Sequence, residues 1–124
     1  MKISHPLMVR TLRKDPSQIM EELTPHKMNI LHAVIGVSGE AGELLDAVKK
    51  ACVYNQPTPF DNIVEELGDI EFYLEQLRQA LGITREQTID ANIAKLSIRY
   101  AGMVYSNEAA ALRADKIGAT DETA

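Results

Sequence analysis

The sequence predicts an all-α protein, a bundle of four to five helices. Three observations carry that expectation. Apolar residues recur at three- and four-residue steps through each long segment. Breaks containing Pro or Gly, with Ser, Thr or Asp at capping positions, separate those segments. No stretch alternates apolar and polar residues with period two over more than a few positions.

Asp15-Pro16 supplies an N-cap and a first-turn proline for a short helix over Pro16–Leu23. Thr24-Pro25 repeats the signal and opens a longer helix, whose stripe Leu31, Val34 or Ile35, Ser38, Ala41, Leu45 and Val48 is the expected core face. It should end near 51–55, because Pro57 and Pro59 block continuation. Asp61 or Asn62 caps the next helix. Its apolar seam is Ile63, Leu67, Ile70, Leu74, Leu77 and Leu81, a rhythm of about 3.5 residues that suits lengthwise packing in a bundle. Gly82 stops it. Thr84 and Gln87 form a capping box for a helix to about Tyr100, with Ile89, Ile93, Leu96 and Tyr100 inward, and Gly102 closes that one. Ser106 caps a short final helix over Asn107–Lys116. The helical domain thus covers 1–116, and the tail 117–124, with nothing to bury, is expected to be disordered.

A chain of 124 residues suits one domain whose core an oligomer can complete. Thirteen basic against eighteen acidic side chains give a formal charge of −5. No basic patch tracks a phosphate backbone, so nucleic acid is not an expected partner. A small nucleotide stays open, because a bound cation inverts a local negative field. Cys52 is the sole cysteine, which precludes an internal disulfide and suits a reducing compartment; it reads as buried filler, and the five methionines as packing. No apolar run approaches the roughly 20 residues of a membrane span. Met1–Arg13 lacks the apolar core of a signal peptide, so a cytoplasmic location is expected.

Four carboxylates stand in two short clusters, Glu40-Ala41-Gly42-Glu43 and Glu66-Leu67-Gly68-Asp69. A three-residue step puts both acids of a cluster on one helical face, about 5–6 Å apart at Cβ. Like charges at such spacing destabilise a helix by roughly 0.2–0.5 kcal/mol per pair, and no Lys or Arg lies within a turn of Glu66 and Asp69. Two such faces brought together need cations between them. Oxygen-only donors favour Mg²⁺, with Mn²⁺ as a substitute, over zinc. A di-iron carboxylate bundle needs Glu-x-x-His, and the residues three places before His5, His26 and His32 are Lys2, Leu23 and Asn29. The competing reading is a solvated acidic face. Against it, the acids of the longer helix share their side with Gly36 and Gly39, each costing about 1 kcal/mol relative to Ala, and close approach of a ligand or a helix is the usual compensation.

Farther on, Asn92, Lys95 and Arg99 step along one helical face, with Tyr100 beside Arg99. An amide, an ammonium and a planar guanidinium in that order suit a triphosphate; the plainer reading is that the two cations complement the helix macrodipole. His32 lies eleven residues before Glu43, about 16 Å along the axis, so the two cannot share a metal. It either lines the far end of the same groove, near a base or sugar, or is an ordinary histidine.

Taken together, the blocks 36–46 (GVSGEAGELLD), 65–70 (EELGDI) and 92–100 (NIAKLSIRY) resemble those of the MazG-like all-α nucleoside triphosphate pyrophosphohydrolases, in which E-x-x-E is followed, after a spacer, by E-x-x-D. Here twenty-two residues separate Glu43 from Glu66, and the resemblance covers roughly 28–116. It implies that Glu40, Glu43, Glu66 and Asp69 bind Mg²⁺, with Asn92, Lys95 and Arg99 near the phosphates. It further implies hydrolysis between the α- and β-phosphates of a (deoxy)nucleoside triphosphate, giving monophosphate and pyrophosphate, by a dimer or tetramer. For that chemistry Glu43 is the expected acceptor of the attacking water's proton, and His32, Asn92, Lys95, Arg99 and Tyr100 are the candidate substrate contacts. Arg113 and Lys116 either reach the phosphates or form a solvated helix end. Alternatives are a relative dedicated to one nucleotide (dUTP, dCTP, dGTP or phosphoribosyl-ATP) and a non-catalytic nucleotide-binding module.

Overall fold

A computed structural model describes residues 2–118. The regular structure among them is entirely helical: α1 His5–Leu12, α2 Pro16–Glu22, α3 Pro25–Val53, α4 Phe60–Leu81, α5 Arg85–Arg99, α6 Asn107–Leu112 and a 3-10 turn Ala114–Lys116. They fall into two compact units, Met1–Leu81 and Gly82–Ala124. No helix among the described residues is long and apolar enough to cross a membrane.

In the first unit the caps sit where the sequence places them. The Asp15 carboxylate accepts from the Ser17 N–H and the Thr24 hydroxyl accepts from the Lys27 N–H, each ahead of a first-turn proline. Beyond α3, Asn55 takes the left-handed conformation (φ 51°), and the Gln56 N–H donates to the Lys50 carbonyl at 3.2 Å. The α4 helix begins at Phe60, ahead of the Asp61 or Asn62 cap that the sequence suggests. Helix α1 lies outside the elements expected from the sequence; Ser4 is its N-cap and Pro6 stands in its first turn, but Ser4 makes no side-chain bond and none of its residues is buried.

Helices α3 and α4 pack against each other as an antiparallel hairpin: Asn29 pairs with Gln76, Gly36 with Tyr73, and Glu40 with Glu66. Small residues determine which face of α3 meets α4. Ala33 (0% exposed) and Ala47 are buried, and Ile30, Val37, Leu44 and Val48 are half-buried beside them. A Cβ at Gly36 would lie 2.3 Å from the Tyr73 ring, so the close approach requires glycine there. This overturns the expected core stripe. Leu31, Val34, Ile35 (57% exposed) and Leu45 (68% exposed) face outward, and of that stripe only Val48 is half-buried. The helix is apolar on more than one side, and α4 takes the side that admits the closer backbone. The α4 seam is largely as expected, with Ile63, Ile70, Leu74 and Leu77 half-buried and Leu67 and Leu81 exposed. Cys52 is exposed rather than packed, as are Met8, Met20, Met28 and Met103.

In the second unit Thr84 and Gln87 form the reciprocal capping box of α5. Leu96 and Tyr100 are half-buried as expected, whereas Ile89 and Ile93 are exposed. Ser106 caps α6 by accepting from the Ala109 N–H at 3.0 Å. The single helix expected over Asn107–Lys116 is split, because Arg113 adopts the left-handed conformation (φ 49°) and the chain continues as the 3-10 turn. That turn is tied to α5 by Arg99, whose Nε and Nη2 donate to the Asp115 carboxylate at 2.7 and 3.2 Å. Of the tail expected to be disordered, Ile117 and Gly118 form a turn, and 119–124 lie outside the described residues.

Candidate metal centre

The hairpin register that seats Tyr73 on Gly36 also sets the α3 acids opposite the first α4 acid. Glu40, Glu43 and Glu66 each offer a carboxylate oxygen, and the three oxygens lie within 4.8 Å of one another. Glu66 is buried (9% exposed), Glu40 half-buried and Glu43 at the exposed rim. One oxygen on each of Glu40 and Glu66 is fully buried without a hydrogen-bond partner. Such an atom is costly to leave unpaired, and a cation satisfies it.

Electrostatics tell the same story. The Glu66 carboxyl is pushed up to about 7, first by burial, then by hydrogen bonding of its protonated form with Glu40, then by the negative charges of Glu43, Glu40 and Asp69. A site that forces one of its carboxylates towards neutrality is a site short of positive charge. The donor set, oxygen only, is that of a hard divalent ion. Asp69 is exposed and stands outside the group of three, although its charge reaches Glu66.

A cavity of about 690 Å³ opens beside these acids. Glu43 and Glu66 line one part of it, with Gly39 and Gly42 on its α3 wall. A Cβ at Gly39 would meet nothing within 4 Å, in contrast to Gly36. The two helical glycines therefore have different reasons: one admits a neighbouring helix, the other borders open space at the acids. The same cavity is lined by Asp46, Lys50, Gln56 and Asn62, which are not among the residues expected in the site from the sequence. For Asp46 and Lys50 the signal existed, since they follow Glu43 by three and seven residues and share its stripe. Gln56 and Asn62 come from the loop and the start of α4, and periodicity carries no trace of them.

The other candidate residues have surroundings of their own. His32 is exposed outside the cavity, in a T-shaped contact with Tyr73 (centroids 5.9 Å apart) and with its Nδ1 3.5 Å from the Gln76 amide nitrogen. In the second unit, Asn92 and Tyr100 line a pocket of about 310 Å³ with Met103 and Tyr105, the two tyrosine rings 5.6 Å apart. Lys95 is exposed. Arg99 holds Asp115, whose side chain is only 3% exposed; the pair raises the arginine and lowers the aspartate. Arg113 and Lys116 are exposed.

A family model describing the MazG nucleotide pyrophosphohydrolase domain matches residues 29–103. The chain belongs to this family. The matched span of the MazG domain starts within α3 and takes in both acidic clusters and the Asn92–Tyr100 block, leaving α1, α2 and α6 outside. Membership supports nucleotide pyrophosphohydrolase activity as a class, on a nucleotide substrate and with a metal. No curated protein and no solved structure matches the chain.

Proposed function

We propose that this MazG domain is a Mg²⁺-dependent nucleoside triphosphate pyrophosphohydrolase that converts a (deoxy)nucleoside triphosphate to the monophosphate and pyrophosphate, with Mn²⁺ able to replace Mg²⁺. The observation that supports it most is the convergence of Glu40, Glu43 and Glu66 with two buried, unpartnered oxygens. On this reading Glu40 and Glu66 hold the ion from the buried side and Asp69 joins from one turn farther along α4. The ion, when bound, neutralises phosphate charge and lowers the pKa of a coordinated water. Glu43, at the rim, binds the ion and takes the proton of the water that attacks the α-phosphorus. The bond from the α-phosphorus to the bridging oxygen breaks, and pyrophosphate departs with the electron pair. Asn92, Lys95 and Arg99 serve the phosphates, with Tyr100 flanking them. Asp115 holds one edge of the Arg99 fork, so Nη1 is the part left to reach a phosphate oxygen.

A homo-oligomer, dimer or tetramer, belongs to the same reading. A two-helix hairpin with Leu31, Val34, Ile35 and Leu45 outward on α3 leaves a bulky apolar stripe uncovered, and a second hairpin would convert it into the core of a four-helix bundle. A cytoplasmic setting suits the exposed Cys52, which stays reduced there.

Incubating the protein with Mg²⁺ and a panel of triphosphates, and separating pyrophosphate from orthophosphate, tests the proposal. Pyrophosphate should form, and Glu43→Gln should abolish turnover without loss of helical content. Orthophosphate as the first product, or a Glu43→Gln variant at wild-type rate, would refute it.

A further inference from the structure

We propose that the cavity leading from Glu43 and Glu66 to Asp46 and Lys50 seats the nucleoside end of the substrate, with Asp46 accepting from the N–H donors of a guanine edge and Lys50 donating to its carbonyl oxygen. The inference rests on the metal-site reading above, and it concerns what lies beyond the metal.

Position comes first. Asp46 and Lys50 continue the Glu43 stripe down α3, the latter about 10 Å farther along the axis. Helical side chains lean towards the N-terminus, and the Lys50 ammonium does so, meeting the Asp46 carboxylate at 2.9 Å. The pair therefore stands one helical turn beyond Glu43, on the side away from Glu40, and borders the same cavity.

Charge then decides which part of a nucleotide goes there. The cavity is lined by three carboxylates, Glu43, Glu66 and Asp46, against one cation, Lys50, already engaged by Asp46. Beyond Glu43 and Glu66 such a lining repels further phosphates. It suits a neutral group rich in hydrogen-bonding edges, and the amides of Gln56 and Asn62 on the facing side add donors and acceptors. Pro57 and Pro59 provide wall surface without N–H groups.

Among the bases, guanine fits best. Its N1–H and N2–H point the same way and can share one carboxylate, while O6 lies beside them for an ammonium. Adenine has no carbonyl, and cytosine, thymine and uracil offer a carboxylate one ring edge with a single donor group beside acceptors it would repel. Lys50 holds Asp46 below its ordinary range, so it stays an acceptor at neutral pH. An exposed pair four residues apart contributes little to folding, and substitution should leave the helix intact.

The test measures Mg²⁺-dependent binding of triphosphates with a methylene bridge between the α- and β-phosphorus, carrying guanine, adenine, cytosine, thymine or hypoxanthine. The wild-type protein should bind the guanine analogue tightest and the hypoxanthine analogue, which lacks the N2 amine, about tenfold more weakly. Asp46→Asn should cost the guanine analogue about ten- to a hundredfold while moving the adenine analogue by about twofold or less. An unchanged base ranking in Asp46→Asn, or no guanine preference in the wild type, would overturn the inference. If Mg²⁺-dependent hydrolysis is intact and the ranking does not move, this inference alone fails. Guanine preference that persists without any need for Mg²⁺ instead sinks the metal-site reading.

Discussion

Binding of Mg²⁺ should expel a proton from Glu66, and the number expelled should depend on pH in a defined way. The carboxyl is buried between Glu40 and Glu43 and titrates near pH 7 in the metal-free protein. A carboxyl must be ionised to ligate, so any proton it carries is released when the ion enters. With a midpoint of about 7 the site releases about 0.9 proton at pH 6, about 0.5 at pH 7 and about 0.1 at pH 8. Affinity should correspondingly rise by about tenfold per pH unit up to neutrality and then level off. Calorimetric titration with Mg²⁺ in pairs of buffers of different ionisation enthalpy gives the proton count directly. Glu66→Gln should remove the pH-dependent release. The metal-free protein gives the opposite trend in stability: because the folded-state value lies above the ordinary 4.5, the folded form holds the proton more tightly, and stability falls as pH rises from about 4.5 through about 7. Absence of proton release at pH 6, or release that survives Glu66→Gln, would refute the reasoning.

Two further predictions address the hairpin and its outer face. Gly36→Ala gains about 1 kcal/mol in helix propensity, but its Cβ would stand 2.3 Å from the Tyr73 ring, and overpacking of that kind costs about 1–3 kcal/mol. Urea denaturation should therefore show Gly36→Ala less stable than wild type, and Gly39→Ala, with open space at its Cβ, more stable by up to about 1 kcal/mol. Leu45→Glu places a charge on the exposed α3 stripe; it should weaken self-association by about a hundredfold or more, read as a drop in mass by light scattering, with little change in helical content. A wild-type protein that is already monomeric at high concentration would sink that expectation.

By itself the sequence determined what depends on near neighbours. The starts at Asp15, Thr24, Thr84 and Ser106 were legible because a cap is a bond between a side chain and a backbone group two or three residues away. So was the pairing of acids within each cluster, since helical geometry alone puts Glu40 near Glu43. Helix α1 carries a similar mark, Ser4 at its N-cap with Pro6 in the first turn, but no capping bond forms and none of its residues is buried. Tertiary structure decided which face of α3 became the core. The apolar pattern pointed to Leu31, Ile35 and Leu45, yet α4 settled on Ala33, Gly36 and Ala47, where the backbones can come closer. The register of that packing brings Glu66 to Glu40 and Glu43 and leaves Asp69 outside the group, and the turn beyond α6 delivers Asp115 to Arg99. Spacing along a chain dictates which side chains share a helix face. Only the packing of one helix on another decides which of those faces meet.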